Sequence, residues 1–388
     1  MEALSDVLSR EEFDAAYKNI YSDGMKHDVP WREDDDSVTV ETAAGQPPLR
    51  IKFRAPSAHE APLPRYWRKA GELPPLKEGE GVLSGIHIAL DPGHIGGSYA
   101  VMEERWLSMK PGEVVMEGQL TLMVAIVLKA RLEALGAHVS LVRQNEAPVT
   151  TAKADDLKDA ARKLLAEAGI AKPAEAYAGL TGDAKIITVQ WQAEKLFYRV
   201  SEIRARAKKV NDDLKPDLVI CLHFNAAEWG DPAKPAFVSE NHLHLLVNGC
   251  YSADELQLED IRFEMFQRLF GRIQGEETKL GTEVADAMAK TTGLPPFTYP
   301  GHNARRVGNN PYLWSRNLLA NRMYQCPVIY IEPYVMNNEL TYKRLLLGHF
   351  IGRTLLDSEL VTSPLEDYAR GVTQGLVSYF QKARGAVE

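Results

Sequence analysis

From Ser84 to Ala383 the chain alternates short apolar runs with amphipathic stretches, and that alternation restricts it to one class of architecture. Ile86–Leu90 is a short apolar run that leads straight into Asp91-Pro92-Gly93-His94. Leu120, Val124, Val127, Leu128, Leu132 and Leu135 recur at helical spacing, which predicts a helix over Glu117–Leu135 stopped by Gly136. Val139–Val142 reads as the next strand, and Ser201–Leu214 as a helix ended by Pro216. Asp217–Leu222, Leu243–Val247 and Pro327–Ile331 read as apolar strands. Helices are expected at about 254–274, 276–291, 339–356 and 363–383. Strand, helix, strand in this order means an α/β fold, with a mostly parallel twisted sheet flanked by helices.

The remaining chain differs in character. Residues 1–54 are polar and acidic, with two alternating runs, Ser37–Val40 and Leu49–Phe53, around Ala44-Gly45-Gln46-Pro47-Pro48. They predict a small N-terminal extension with a β-hairpin closed by a loop. Residues 55–83, with Pro56, Pro62, Pro64, Pro74 and Pro75, read as an extended connector. Residues 84–388 then form the principal domain, with helical insertions at about 146–200 and 226–275.

Composition narrows the functions. With 45 basic and 53 acidic residues the net charge is −8, which weighs against a nucleic-acid binder. No apolar run approaches the roughly 20 residues of a membrane-spanning helix, Leu120–Leu128 being the longest candidate. Met1–Arg10 holds neither a basic nor an apolar signal region, so the chain as it stands reads as lacking a secretory signal. Cys221, Cys250 and Cys326 form neither an even disulfide set nor a metal-ligand spacing.

In an open α/β sheet, ligands gather beyond the carboxyl ends of the strands. His94, His223 and Glu332 each follow such a strand, and Glu117 opens the helix that must pack on the sheet. Two histidines and a carboxylate are the usual protein ligands of a catalytic zinc. They lie far apart in the chain, so they come from different elements and not from one HExxH helix. Each has a plain structural alternative: a hydrogen-bonded strand-end histidine, a first-turn carboxylate on the helix dipole, a buried ion pair. Glu113 and the pair Glu103–Glu104 are alternatives to Glu117 if the helix begins elsewhere.

The blocks Asp91-Pro92-Gly93-His94, Glu117-Gly118-Gln119-Leu120, Leu222-His223-Phe224-Asn225-Ala226 and Ile331-Glu332-Pro333-Tyr334-Val335-Met336-Asn337 resemble the signatures of zinc-dependent N-acetylmuramoyl-L-alanine amidases. The resemblance spans about residues 84–383. It implies one Zn2+ per chain held by His94, Glu117 and His223, with Glu332 as the catalytic carboxylate. Asn225 and Arg316 are the residues it offers for orienting ligands or substrate. The implied reaction cuts the amide between N-acetylmuramic acid and L-alanine of peptidoglycan, in the cell envelope (periplasm or secreted). Phe224 and Pro333 stand where the family usually has a small residue and a glycine, which puts the groove's shape in question. The alternatives are a zinc hydrolase of another amide or peptide, and a wall-binding relative without catalysis. Some family members cover the zinc with a helix until a partner removes it; Asp254–Phe270 occupies that place, with Asp254, Glu255, Glu259, Asp260 and Glu264 available to reach a metal. A regulatory protein partner follows only if that helix covers the site.

Overall fold

Period-2 alternation divides each strand of the central sheet between two layers. Ile88, Leu90, Ile220, Leu222, Leu245, Ile329 and Ile331 are buried in one cluster with residues of three long helices, Glu117–Ala134, Ile273–Thr292 and Pro364–Ala383. Ala89, Val219, Cys221, Leu246, Val328 and Tyr330 enter the opposite cluster with Ala207, Val210 and Tyr324. The computed structural model describes residues 4–25, 28–43, 45–58, 65–228 and 235–384. Ala44, Pro62 and Pro64, and residues 229–234 of the second insertion, lie outside the described residues.

The central sheet has seven strands, in the order Arg305–Arg306, Leu313–Ser315, Leu243–Val247, Val328–Pro333, Leu218–Leu222, His87–Pro92, His138–Leu141. Val328–Pro333, Leu218–Leu222, His87–Pro92 and His138–Leu141 run parallel, as the βα alternation requires. Leu243–Val247 is antiparallel to Val328–Pro333 and parallel to Leu313–Ser315. This reversal brings the start of one strand beside the end of its neighbour. Among the described residues, no helix is long and apolar enough to cross a membrane.

Gly136 ends the first long helix in a left-handed conformation, φ 94°, as its position predicts. The expected helix from Ser201 begins much earlier: helical segments follow one another from Val189 to Leu214, with π-helical turns at Phe197–Ser201 and Lys209–Leu214. The helix expected at 339–356 stops at Leu346. Gly348 and Gly352 take φ of 70° and 83°, and the chain becomes a hairpin of Thr354–Leu356 and Glu359–Val361. Asp357 and Ser358 both have positive φ, the signature of a two-residue type I′ turn.

In the N-terminal part, Ser37–Val40 and Leu49–Lys52 pair antiparallel, and Trp31–Glu33 adds a third strand. Phe13 packs against Phe53, Phe266 and Phe270, and Trp31 sits edge-on to Phe266. This small sheet therefore rests on the helix Glu259–Phe270.

Candidate active site

Strand parity puts the site on one face. Asp91, His223, Glu332 and His244 continue the alternation of Ala89, Cys221, Tyr330 and Leu246, so all four point to the same side of the sheet. Past Pro92 the chain turns sharply, and His94 carries the strain with φ 56°. Gly93 is needed for another reason than backbone freedom. A Cβ there would lie 2.2 Å from the His223 ring, so only glycine lets the two histidine-bearing strand ends sit side by side. The two rings are 5.1 Å apart, edge to face.

Glu117 reaches them from the other layer. A Cβ on Gly96 or Gly118 would collide with the other's backbone, so the helix N-terminus closes directly onto the His94 loop. Glu117 Oε2 is 3.3 Å from His94 Nε2, and Glu117 Oε1 is 3.1 Å from His223 Nδ1 while accepting the Phe224 N–H at 3.1 Å. Arg105 Nε lies 3.6 Å from Oε2. The Glu117 side chain is 3% exposed. Burial raises its pKa, and the His94, His223 and Arg105 charges outweigh burial and hold it at about 2.

One ligand atom from each of His94, Glu117 and His223 falls within 4.8 Å of the others. Two imidazole nitrogens and a carboxylate are a donor set that suits zinc. Glu117 turns a different oxygen to each histidine, Oε2 at 3.3 Å from His94 and Oε1 at 3.1 Å from His223, so the three side chains could hold one metal ion.

A buried network fixes this arrangement. The Arg206 guanidinium donates to Asp91 Oδ1 (2.8 Å), to the carbonyls of Pro92 (2.7 Å) and His94 (2.8 Å), and to Glu202 Oε1 (2.7 Å). Tyr324 donates to Asp91 Oδ2 at 2.5 Å, Thr121 to the Gly93 carbonyl at 2.7 Å, and Arg143 to the Gly118 carbonyl at 2.7 Å. Glu103 Oε1 is 3.6 Å from His94 Nδ1, and its Oε2 accepts the Ile95 N–H at 2.9 Å. It stands behind His94 and does not replace Glu117. Burial raises the Glu103 pKa, and its bonds to His94 and the Ile95 backbone lower it below the ordinary value.

Glu332 faces the same cavity of about 500 Å³, which Arg105, Tyr198, Arg199, Arg316 and Leu318 also line. Its carboxylate lies 3.2 Å from His244 Nε2. Burial raises its pKa, and the His244 and His223 interactions lower it further than burial raises it. Tyr330 stacks on the His223 ring at 4.1 Å. Asn225 also lines the cavity, and its Nδ2 donates to the Glu332 carbonyl at 2.6 Å. Arg316 sits at the rim, its guanidinium 5.5 Å over the Tyr299 ring.

Of the two departures from the family pattern, Phe224 lines the cavity although it is buried. The Phe224 ring is buried against Tyr368, and Pro333 pairs opposite Leu243 at the end of its strand. The first insertion does shape the cavity, since the π-helical turn Phe197–Ser201 supplies Tyr198 and Arg199. The acidic helix does not cover it. Glu255 caps its own helix, Glu259 accepts the Ala43 N–H and Glu264 pairs with Arg322, and none of the five acidic residues lines the cavity.

His244 and Tyr299 were not among the residues singled out for a role from sequence, and Glu103 was singled out only as an alternative to Glu117. His242-Leu243-His244-Leu245 carried the signal for the first, as polar and apolar residues alternate in a strand that has one face at the site.

No protein-family model matches the chain, and no curated protein does. Solved structures are similar to it over about three quarters of its length. The apo N-acetylmuramyl-L-alanine amidase Ami1 from Mycobacterium abscessus has 16% identity and a TM-score of 0.39, over 76% of this chain and 99% of that one. The CwlD amidase from Clostridioides difficile, in complex with the GerS lipoprotein, has 14% identity and a TM-score of 0.41, over 77% and 100%. The N-acetylmuramoyl-L-alanine amidase AmiC2 of Nostoc punctiforme has 13% identity and a TM-score of 0.38, over 78% and 99%. Likeness at this level assigns no activity.

Proposed function

We propose that the chain is a zinc-dependent amidohydrolase that cuts the bond between N-acetylmuramic acid and L-alanine in peptidoglycan. The observation that carries the reaction class is the convergence of His94, Glu117 and His223 within 4.8 Å, with Glu332 on the same cavity. The sequence blocks around these residues support the substrate. Peptidoglycan lies outside the cytoplasmic membrane, so the cell envelope is the place of action.

A zinc ion held by His94, Glu117 and His223 would lower the pKa of a bound water and polarise the scissile carbonyl. The chain's own residues do the rest. Glu332, ionised because its pKa lies below the ordinary value, takes the proton of the attacking water and returns it to the departing alanine nitrogen. Asn225 fixes the Glu332 backbone through its carbonyl. Arg316, Arg105 and Arg199 give the cavity a cationic rim suited to the carboxylates of a stem peptide.

The test is metal analysis and product analysis on purified muropeptides, for the chain and for His94→Ala. One zinc per chain with release of the free peptide, both lost in the variant, is the expected result. Zinc with cleavage of a different amide would keep the chemistry and discard the substrate. Binding to sacculi without soluble product would favour a non-catalytic wall binder.

A further inference from the structure

Glu332 has a neighbour that the reaction above does not use. In the antiparallel pairing of Val328–Pro333 with Leu243–Val247, Glu332 stands directly opposite His244. Opposed residues share a face of the sheet, and a one-residue slip would turn His244 away, so the register itself delivers the imidazole to the carboxylate. His244 Nε2 is 3.2 Å from Glu332 Oε2 and 2.9 Å from the Tyr299 hydroxyl. The side chain is 3% exposed, with Phe297 at 5.2 Å and Tyr299 edge-on at 5.3 Å between ring centres.

The other ring nitrogen decides the tautomer. His244 Nδ1 is buried and has no hydrogen-bond partner among the described residues. A proton on Nδ1 would leave a buried N–H without an acceptor and turn the Nε2 lone pair toward a carboxylate oxygen. A proton on Nε2 avoids both costs. It gives Glu332 Oε2 a donor, with the Tyr299 oxygen able to share it.

We propose that His244 is a positioning residue for Glu332, its Nε2–H holding Oε2 so that the other carboxylate oxygen is left to exchange the proton in the cavity. The inference rests on the reading of Glu332 as general base. With the Glu332 carbonyl held by Asn225, both ends of the residue are fixed, one by each neighbouring strand end. A carboxylate without that donor is free to turn, and turnover falls while substrate affinity does not.

The experiment uses the full zinc-loaded chain, with His244→Leu, His244→Gln and Glu332→Gln. Glutamine keeps an N–H donor at similar reach; leucine keeps bulk alone. On muropeptides, His244→Leu should lower kcat by about 10- to 100-fold at unchanged KM and zinc content, and His244→Gln should recover most of the loss. Equal losses in the two variants, or a kcat for His244→Leu within about threefold of the parent, would overturn the proposal. Imidazole 15N NMR supplies a readout independent of turnover. The His244 ring should carry its proton on Nε2, and its resonances should shift in Glu332→Gln. An Nδ1–H tautomer, or a ring indifferent to Glu332→Gln, overturns the proposal. If the parent chain releases no muropeptide product, the function proposed above fails, and the NMR result decides the His244–Glu332 contact alone.

Discussion

The strand His87–Pro92 has a pair of histidines at each of its ends, and only one pair meets a carboxylate under a cavity. At the amino end His87 and His138 lie opposite each other on parallel strands, stacked with ring centres 4.1 Å apart. At the carboxyl end His94 and His223 are 5.1 Å apart. His87 Nε2 is engaged by Ser140 Oγ at 2.9 Å, whereas Glu117 joins His94 and His223 from a third element, and a cavity opens over them. Among the described residues that carboxyl-end group alone has three metal-binding side chains in reach of one another. A site is therefore made by a converging carboxylate and open space, not by proximity of imidazoles.

The largest expected effect separates the two ends directly. His94→Ala or His223→Ala should abolish zinc binding and cut hydrolysis by about 1,000-fold or more, while His87→Ala and His138→Ala leave both within about twofold. Metal analysis beside a muropeptide assay reads this, and loss of zinc in the His87 or His138 variant would break the comparison. Gly93→Ala probes the packing that brings the two ligands together. Its methyl would press on the His223 ring, and a loss of about 100-fold in turnover is expected in a folded protein.

Arg206→Met tests whether the site end depends on its buried network. It leaves Asp91 and Glu202 without their guanidinium partner, so denaturant unfolding should show a loss of about 3–5 kcal/mol. The smallest effect belongs to a histidine–carboxylate contact far from the cavity, His349 with Glu366, which Arg131 also joins. Burial raises the Glu366 pKa, and the Arg131 and His349 hydrogen bonds lower it below its ordinary 4.5. A carboxylate lowered in the folded state stabilises above its ordinary value and loses that contribution as pH falls through the lowered one. Thermal melts from pH 6 to pH 3 should therefore fall less steeply for Glu366→Gln, with zinc binding unchanged.

Much of this architecture was legible in the sequence because strand ends and helix starts announce themselves. His94, His223 and Glu332 each follow an apolar run, so the sheet brings them to one edge, and Glu117 precedes a helical apolar stripe that packs on that sheet. For His244 the local alternation marked a strand face, but its place opposite Glu332 comes from a strand reversal that the alternation does not encode. Glu103 was weighed only as a substitute ligand, yet it binds the backbone behind His94, and burial rather than spacing decides that. The hairpin Trp106–Lys110 with Glu113–Met116 escaped because it is short, although Pro111-Gly112 marks its turn. At 339–356 the helical reading overlooked two glycines, and their positive φ redirects the chain.

The packing of the N-terminal sheet on the helix Glu259–Phe270 has a consequence in time. Phe13, Trp31 and Val38 share a cluster with Phe266 and Phe270, which are made far later. At about 5–20 residues per second, synthesis separates the two by roughly 12–50 s. For that interval the early aromatic residues have half of their core missing and stay open to chaperones or to premature association.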